Sequence, residues 1–157
     1  MCGIAGIYLK DMDDLFCDRD QMEKLVDALA IGIEPRGDHA TGIAAMDKSG
    51  TVTLEKADTA ASTFIMWRNE IMPEARSIMI HTRWATKGSP MNLLNNHPIE
   101  HKNSLVIHNG HIGNDDQLFR DEGLDRFGEV DSEIIAALLN ETGLEDAKEA
   151  LEKLDGN

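Results

Sequence analysis

The chain begins Met1-Cys2-Gly3-Ile4-Ala5-Gly6, a cysteine after the initiator methionine and then a small, apolar run that predicts a buried strand from Cys2 to Leu9. Methionine before a small side chain is usually removed, so Cys2 is expected to become the N-terminal residue. It would then carry a thiol and a free α-amino group, and an amine with an ordinary pKa of about 7.7–8.0 can act as a general base. A nucleophile and its base on one residue is a known activation scheme. The hexapeptide alone leaves a plainer interpretation open, in which position 2 is small because methionine removal prefers it.

The composition describes one acidic domain. The 157 residues are 41% apolar, enough for one core, and only 4% aromatic, so aliphatic side chains must fill that core. The 29 acidic residues outnumber the 15 basic ones, and the net charge is −14. Binding to nucleic acid or to an anionic membrane requires the opposite sign of charge, so we expect neither partner.

The cysteine count and the N-terminus indicate the cellular compartment. Cys2 and Cys17 are too few for a disulfide framework, and although one bond between them stays an open alternative, Cys17 is interpreted as an ordinary thiol. The N-terminus lacks the basic and then apolar pattern of a signal peptide. No apolar run approaches the 18 residues of a membrane span. We therefore expect a cytoplasmic protein.

The hydrophobic pattern predicts strands that alternate with helices in one domain. The predicted strands are 2–9, 43–46, 51–56, 77–81 and 104–108, and the predicted helices are 21–32, 59–71, 115–121, 132–140 and 144–154. The stretch from Thr82 to His97 has no clear period, and a long irregular loop in a compact domain is usually functional or disordered. Because the strands pair as hairpins or return after helices, we expect antiparallel or mixed sheets with helical layers.

Three places carry residue types suited to binding a small zwitterion and an oxyanion. Arg83 offers a fork of donors that fits a carboxylate, and Thr86 adds a hydroxyl. The side-chain amide of Asn109 and the N–H of Gly110 suit an oxyanion hole. Asp131 could bind an ammonium group. Taken singly, each place also fits a plainer interpretation: a surface arginine, a turn and a helix-capping carboxylate.

The histidines raise the alternative of a metal site. His97 and His101 lie four residues apart and His108 and His111 three apart, which are spacings at which metal ligands occur. Pro98 separates the first pair and argues against a shared helical face. No cysteine or carboxylate pattern completes a standard ligand set, so we expect no metal and no other cofactor.

Six short motifs, taken in order, resemble those of the class II (N-terminal nucleophile) glutamine amidotransferases. They are Cys2 to Gly6, Arg36-Gly37 through Gly42, His81 to Thr86, Asn96-His97-Pro98, His108-Asn109-Gly110 and Asp131-Ser132-Glu133. Within that family, the third motif is most similar to the glutaminase domains of glucosamine-6-phosphate synthases. The resemblance implies an α+β fold, the four-layer αββα sandwich of N-terminal nucleophile hydrolases.

The resemblance also implies the catalytic roles. Cys2 is the nucleophile that forms a thioester with glutamine, and its α-amino group is the base. Asn109 and the backbone N–H of Gly110 form the oxyanion hole. Arg36 matches a motif arginine that supports the surroundings of the nucleophile.

The substrate-binding roles follow from the same resemblance. Arg83, assisted by Thr86, holds the α-carboxylate of glutamine. Asp131 and the backbone at Gly110 hold the α-ammonium, and Trp84 shields the site. The implied reaction hydrolyses glutamine to glutamate and ammonia, and the ammonia passes to an acceptor such as a sugar phosphate on a partner or missing domain. A free-standing amidohydrolase of the same fold and a catalytically silent binding module remain alternatives.

Some positions depart from the family pattern. Lys87 stands where the most similar relatives carry histidine, and His39 and Ala40 replace an aspartate and a serine. Residues 1–157 are interpreted as one glutaminase domain that ends before the family's last strands and has no acceptor domain. Because an unpaired sheet edge is liable to pair with another chain, we expect either self-association or a longer natural product.

Overall fold

The structure, a computed structural model, describes residues 1–10 and 19–156. Cys17 lies outside the described residues. The elements are β1 (Gly3–Tyr8), α1 (Arg19–Ile33), a 3-10 turn (Glu34–Arg36), β2 (Ala40–Asp47), β3 (Val52–Ala57), α2 (Ala61–Phe64), β4 (Ala75–Arg83), a 3-10 turn (Leu93–Asn95), β5 (Ile99–His101), β6 (Ser104–Val106), α3 (Asp115–Asp121), α4 (Glu133–Thr142) and α5 (Ala147–Glu152). In this part of the chain, no helix is both long and apolar enough to cross a bilayer.

The first sheet has the strand order β1-β4-β2-β3, and every neighbouring pair is antiparallel. The central strand β4 pairs with β1 on one side and with β2 on the other. His81 of β4 therefore lies between Ile4 of β1 and Gly42 of β2. Since successive side chains on a strand point to opposite faces, His81 and Arg83 share one face and Ile78, Ile80 and Thr82 share the other.

One face of this sheet packs against α1 and α2. Helix α1 presents Val26 and Ala30, one turn apart, and both are fully buried. They meet Ile78 and Ile80 of β4 and Phe64 of α2 in one apolar cluster. A fully buried side chain of this size stabilises the fold by about 1.5–3 kcal/mol, so this cluster anchors the strand that carries His81 and Arg83.

The opposite face meets the β5–β6 hairpin, which is covered in turn by α4, and α5 packs against α4. Lys56 of β3 donates a hydrogen bond to the carbonyl of Pro98, 3.2 Å away, just before β5. A cavity between the two sheets is lined by Ala44, Met79 and Leu105 among others. Behind the hairpin lies a second apolar cluster, made of Ile112, Leu118, Phe119, Ile134, Ala137, Leu138 and Ala150. The described chain thus stacks helix, sheet, sheet and helix.

The predicted helix at 59–71 was wrong in length, because α2 covers only Ala61–Phe64. Polar contacts with α1 explain why the helix ends early. Arg68 turns inward to bind Glu23 and Asp27 of α1, at 2.6 Å each, and the N–H of Ile71 donates to Glu23. These bonds hold the segment in an irregular path that a helical pattern of apolar residues does not reveal. Strand β5 was also missed, since only three residues pair there.

Candidate active site

The thiol of Cys2 lies where β1 begins, next to the end of β4. The N–H of Trp84 donates to Cys2 Sγ at 3.4 Å, and the thiol donates a hydrogen bond to the Trp84 carbonyl oxygen, 3.7 Å away. The residue is partly buried, and its sulfur is a free thiol. The sheet register explains the contact. Gly3 of β1 is paired with Thr82 of the antiparallel β4, so the residues just before β1 lie beside those just after β4.

The approach of the chain around Cys2 is so close that glycine is needed at two positions. A Cβ on Gly3 would lie 2.5 Å from both the carbonyl oxygen of Ile33 and Oγ1 of Thr82. A Cβ on Gly37 would lie 2.4 Å from the carbonyl carbon of Arg83. Real side chains do not tolerate such distances, so both glycines allow the loop after α1 to pack directly on the end of β4.

Two donors hold the backbone carbonyl of Cys2. Arg36 Nε donates to it at 2.9 Å and Asn109 Nδ2 at 3.0 Å. The structure thus brings Asn109 to the nucleophile's own residue, although 107 positions separate the two in sequence. Gly110 follows Asn109 at the exposed surface of the site. A carbonyl with two donors is firmly oriented, so the backbone of Cys2 is held in place before any substrate binds.

Arg83 is 3% exposed and points into the loop that follows β4. Its guanidinium donates to Asn96 Oδ1 at 2.8 Å, to the Gly88 carbonyl at 2.9 Å and to the Lys87 carbonyl. Burial lowers the pKa of this guanidinium, while the nearby charges of Cys2 and Asp131 act in the opposite direction. The three bonds leave part of the five-donor fork for a ligand.

Lys87, one of the departures from the family pattern, ties the same loop to α3. Its Nζ lies 2.6 Å from Asp115 Oδ2, and Arg126 reaches the same oxygen at 2.8 Å. Burial alone would raise the pKa of the Asp115 carboxyl, but the hydrogen bonds and charges of Lys87 and Arg126 lower it below its usual value. The loop that holds Arg83 is therefore clamped by an ion pair at its outer side.

Asp131 lies two residues before α4, with its carboxylate nearly buried. Its Oδ2 accepts from the N–H of Ile112 at 2.8 Å, and its Oδ1 from the N–H of Ser132 at 3.0 Å. The exposed ring of His111 has Nδ1 3.2 Å from Oδ2. The carboxylate therefore orders the backbone just after Gly110, the stretch expected to meet the substrate ammonium.

Trp84 and Thr86 lie on the open loop after β4. Both are exposed, and the indole ring of Trp84 stacks on the imidazole of His39 with the ring centres 4.5 Å apart. Nδ1 of His39 accepts a hydrogen bond from the N–H of Ala85 at 3.0 Å. The loop thus reaches the site with its tryptophan already supported on one face.

Buried histidines form the floor beneath these residues. His81 Nε2 donates to the carbonyl of His108 at 3.3 Å, and His97 stacks on His81 with ring centres 4.1 Å apart. Burial lowers the pKa of His81 to about 4 and that of His97 well below its usual value. His108 Nδ1 lies 3.0 Å from Ser132 Oγ. Within residues 1–10 and 19–156, no group of three or more His, Cys, Asp or Glu is placed to hold a metal ion.

Sequence reasoning assigned no role to three residues that structure this site. His39 was noted only as a departure from the family pattern, Asn96 only as part of a motif, and His111 only as half of a histidine pair. The contacts of each are made to residues distant in the chain or to a neighbour across a turn, and no local pattern signals such contacts. Of the three, Asn96 was the easiest to predict from the sequence, since an amide oxygen is a common partner for a buried guanidinium.

Comparison with curated proteins gives one consistent group of relatives. The chain is 32% identical over 143 residues to the glutamine–fructose-6-phosphate aminotransferase (isomerizing) of Escherichia coli K12, and the match covers 89% of this chain and 22% of that protein. It is 34% identical over 143 residues to the enzyme of the same name from Rhizobium meliloti, covering 88% of this chain and 22% of that protein. The chain therefore spans about a fifth of the length of these relatives. No family model matches the chain.

Comparison with solved structures bears on the fold. A structure described as the allosteric regulatory enzyme of purine biosynthesis matches with a TM-score of 0.76 at 22% identity, over 99% of this chain and 34% of that one. The glutamine phosphoribosylpyrophosphate amidotransferase of B. subtilis, in complex with ADP and GMP, matches with a TM-score of 0.66 at 20% identity, over 99% of this chain and 33% of that one. The predicted α+β, αββα fold is confirmed. The resemblance of the chain to the class II (N-terminal nucleophile) glutamine amidotransferases is therefore confirmed, in sequence by these relatives and in fold by these structures.

Proposed function

We propose that this chain hydrolyses the side-chain amide of L-glutamine to glutamate and ammonia, with Cys2 as the nucleophile. One observation carries the proposal: the Cys2 thiol, the Asn109 amide and the buried fork of Arg83 meet at one end of the first sheet. Asp131 is close enough to act on the Arg83 charge. A nucleophile, an oxyanion donor, a cation and an anion are the groups that a zwitterion with an amide side chain requires.

The reaction would proceed in two halves once Met1 is removed. The free α-amine of Cys2 takes the thiol proton, and the sulfur attacks the amide carbon of glutamine. Asn109 Nδ2 and the N–H of Gly110 stabilise the tetrahedral oxyanion. The intermediate collapses as the ammonium of Cys2 returns a proton to the leaving nitrogen, so ammonia departs and a thioester remains. Water, deprotonated by the same amine, then attacks the thioester and releases glutamate with the thiol restored.

Recognition of the substrate would rely on opposite charges at the two sides of the site. The free part of the Arg83 fork would hold the α-carboxylate, with Thr86 close by on the same loop. Asp131, together with the backbone at Gly110, would hold the α-ammonium. Trp84 would then cover the bound glutamine and restrict the access of water.

We also propose that the ammonia is used elsewhere. The chain spans about a fifth of relatives whose name describes amination of fructose-6-phosphate. This supports the interpretation of residues 1–157 as a glutaminase domain that serves an acceptor site, such as a sugar-phosphate site, on a partner domain or subunit. A cytoplasmic location and self-association of the chain remain predictions.

The test is a coupled measurement on protein whose Met1 has been removed, verified by mass spectrometry. Glutamate and ammonia should appear in equal amounts from glutamine, and an electrophilic diazoketone analogue of glutamine should alkylate Cys2 with loss of N2, adding the mass of the analogue less that of N2. Cys2→Ala is the control for both readouts. Processed wild-type protein that releases no glutamate and takes no label would overturn the proposal. Fructose-6-phosphate and a candidate synthase subunit are then added, and a fall in free ammonia relative to glutamate would indicate that the ammonia is captured.

A further inference from the structure

We propose that His39 is a positioning residue that clamps the Trp84–Ala85 segment against the Cys2 thiol. This inference rests on the glutaminase function proposed above, because its purpose is to hold the nucleophile's surroundings in place. His39 stands where the family resemblance implies an aspartate, so the family pattern does not account for its aromatic ring.

The clamp consists of three contacts to three consecutive residues. The backbone N–H of His39 donates to the carbonyl of Arg83 at 3.0 Å. Its ring stacks on Trp84, with centres 4.5 Å apart and planes inclined by 27°. Its Nδ1 accepts from the N–H of Ala85 at 3.0 Å. His39 thus holds the carbonyl of Arg83, the ring of Trp84 and the N–H of Ala85.

The other side of the same segment faces the nucleophile. The N–H of Trp84 donates to Cys2 Sγ at 3.4 Å, so the peptide between His39 and Cys2 is held from both sides. Trp84 is 48% exposed, and a half-exposed ring has little packing to restrain it. The imidazole face therefore supports the indole ring, and the hydrogen bonds of His39 with Arg83 and Ala85 hold the backbone that carries the Trp84 N–H.

The two side-chain contacts are chemically separable. Acceptance by Nδ1 requires that the ring proton sits on Nε2, which lies 3.9 Å from Asp38 Oδ1. An asparagine oxygen could also accept from the N–H of Ala85, but it could not stack on Trp84. A phenylalanine ring could stack but could not accept. The chain therefore allows a substitution that removes each contact alone.

The experiment uses the full chain carrying Trp67→Phe, which leaves Trp84 as the only tryptophan of the two in the sequence. His39→Asn keeps the acceptor, His39→Phe keeps the ring, and His39→Ala keeps neither. Asp38→Asn is the neighbouring control, since a pair at 3.9 Å on the surface contributes little. Amide hydrogen exchange at Ala85 reports the hydrogen bond, and acrylamide quenching of fluorescence reports the stacking of Trp84.

The expected results differ between variants in a fixed pattern. Exchange at Ala85 should quicken about 3- to 10-fold in His39→Phe and His39→Ala and stay near the wild-type rate in His39→Asn, which is the range for one lost neutral hydrogen bond. Quenching of Trp84 should increase in His39→Asn and His39→Ala but not in His39→Phe. The amide of Ile112, held by Asp131, is the internal reference and should not change in any variant.

Kinetics complete the test. In His39→Phe, kcat for glutamine should fall about 3- to 10-fold while KM stays within about twofold, because Asn96 and Gly88, not His39, hold the Arg83 guanidinium. His39→Asn should restore kcat. Unchanged exchange at Ala85 in His39→Phe would overturn the inference. So would faster exchange at Ile112 in every variant, which would indicate general loosening. Wild-type protein without glutaminase activity would overturn the proposed function, and the exchange and quenching patterns would still decide the clamp.

Discussion

The backbone N–H of Trp84 points at the sulfur of Cys2 from 3.4 Å, although 82 positions separate the two residues. A fixed N–H donor stabilises a thiolate more than a thiol, because hydrogen bonds to charged groups are the stronger ones. The loop expected to cover the substrate is thus bonded directly to the expected nucleophile. A change in that loop should therefore alter the stability of the Cys2 thiolate even without substrate.

Cys2→Ala should abolish glutamate release and leave the fold intact. The side chain is small, only partly buried and placed at the end of an edge strand, so its loss removes chemistry and little packing. Glutamate release and the urea unfolding midpoint, measured on the same preparation, check the two halves of this expectation. Activity at the wild-type level with alanine at position 2 would rule out the thioester mechanism.

Asn109→Ala should lower kcat by about 10²–10³-fold, the usual effect of losing one oxyanion donor, and change KM for glutamine much less. The variant also loses the bond from Asn109 to the Cys2 carbonyl, whereas Arg36 keeps its own bond to that oxygen. Arg36→Gln is therefore a useful comparison, because it disturbs the same carbonyl without touching the oxyanion donor. A rise in KM alone for Asn109→Ala would make this residue a ground-state contact.

Glutamine with an acylated amine or an esterified carboxylate should be a poor substrate. Each modification removes a charge-assisted hydrogen bond of about 1.5–3 kcal/mol, which corresponds to a fall of about 10–150-fold in kcat/KM. Arg83→Lys should also be costly, since an ammonium cannot reproduce the planar fork.

The ammonium side is best tested with Asp131→Asn. This replacement removes the charge, and its remaining oxygen can still accept from one of the two backbone N–H groups that Asp131 holds. It should reduce kcat/KM for glutamine and spare that for N-acetylglutamine. If the wild type used both substrates equally well, Asp131 would not be an ammonium ligand.

The free energy of unfolding should fall as the pH drops from about 6.5 to about 4. Below about pH 4, His81 should contribute no further change. Burial lowers the folded-state pKa of His81 from 6.5 to about 4, so in this window the unfolded chain takes up a proton that the folded chain does not. The effect is about 3 kcal/mol at most, and His97 acts in the same direction.

Urea unfolding at pH 4.5 and 7.5 measures the fall in the free energy of unfolding, and His81→Gln should reduce it, leaving the part due to His97. The Asp115 carboxyl does not interfere. Its pKa is lowered by Lys87 and Arg126, so its contribution is present above the ordinary value of 3.8 and is lost only at lower pH. An unchanged slope in His81→Gln would place the titration on other groups.

Much of the fold was predictable where the apolar period was strong. Helix α3 was predicted with its observed bounds, Asp115–Asp121, and α1 and the β2–β3 hairpin within a few residues. The errors fall where polar tertiary bonds override a local pattern, as at Arg68, whose pairing with α1 ends the helix that the apolar residues indicate.

The candidate site was predictable in its residue types but not in its supports. Short sequence motifs contain the residues expected to act on the substrate, among them Cys2, Arg83 and Asn109. The roles of His39 and Lys87 depend on which distant groups they contact, the backbone N–H of Ala85 for His39 and the carboxylate of Asp115 for Lys87, and the three-dimensional path of the loop after β4 decides that. Such supports have no sequence period, so they emerge only with the structure.

Under the proposed function, the chain with Met1 attached would be an inactive precursor, and Met1 lies open to removal. Met1 is 80% exposed, and its sulfur lies 3.9 Å from Arg36. The carbonyl of Cys2 is already held by Arg36 and Asn109, and β1 begins only at Gly3. Hydrolysis of one peptide bond would therefore turn an amide nitrogen into the catalytic amine without refolding the chain. Under the proposed function, removal of Met1 would set the moment at which glutamine hydrolysis begins.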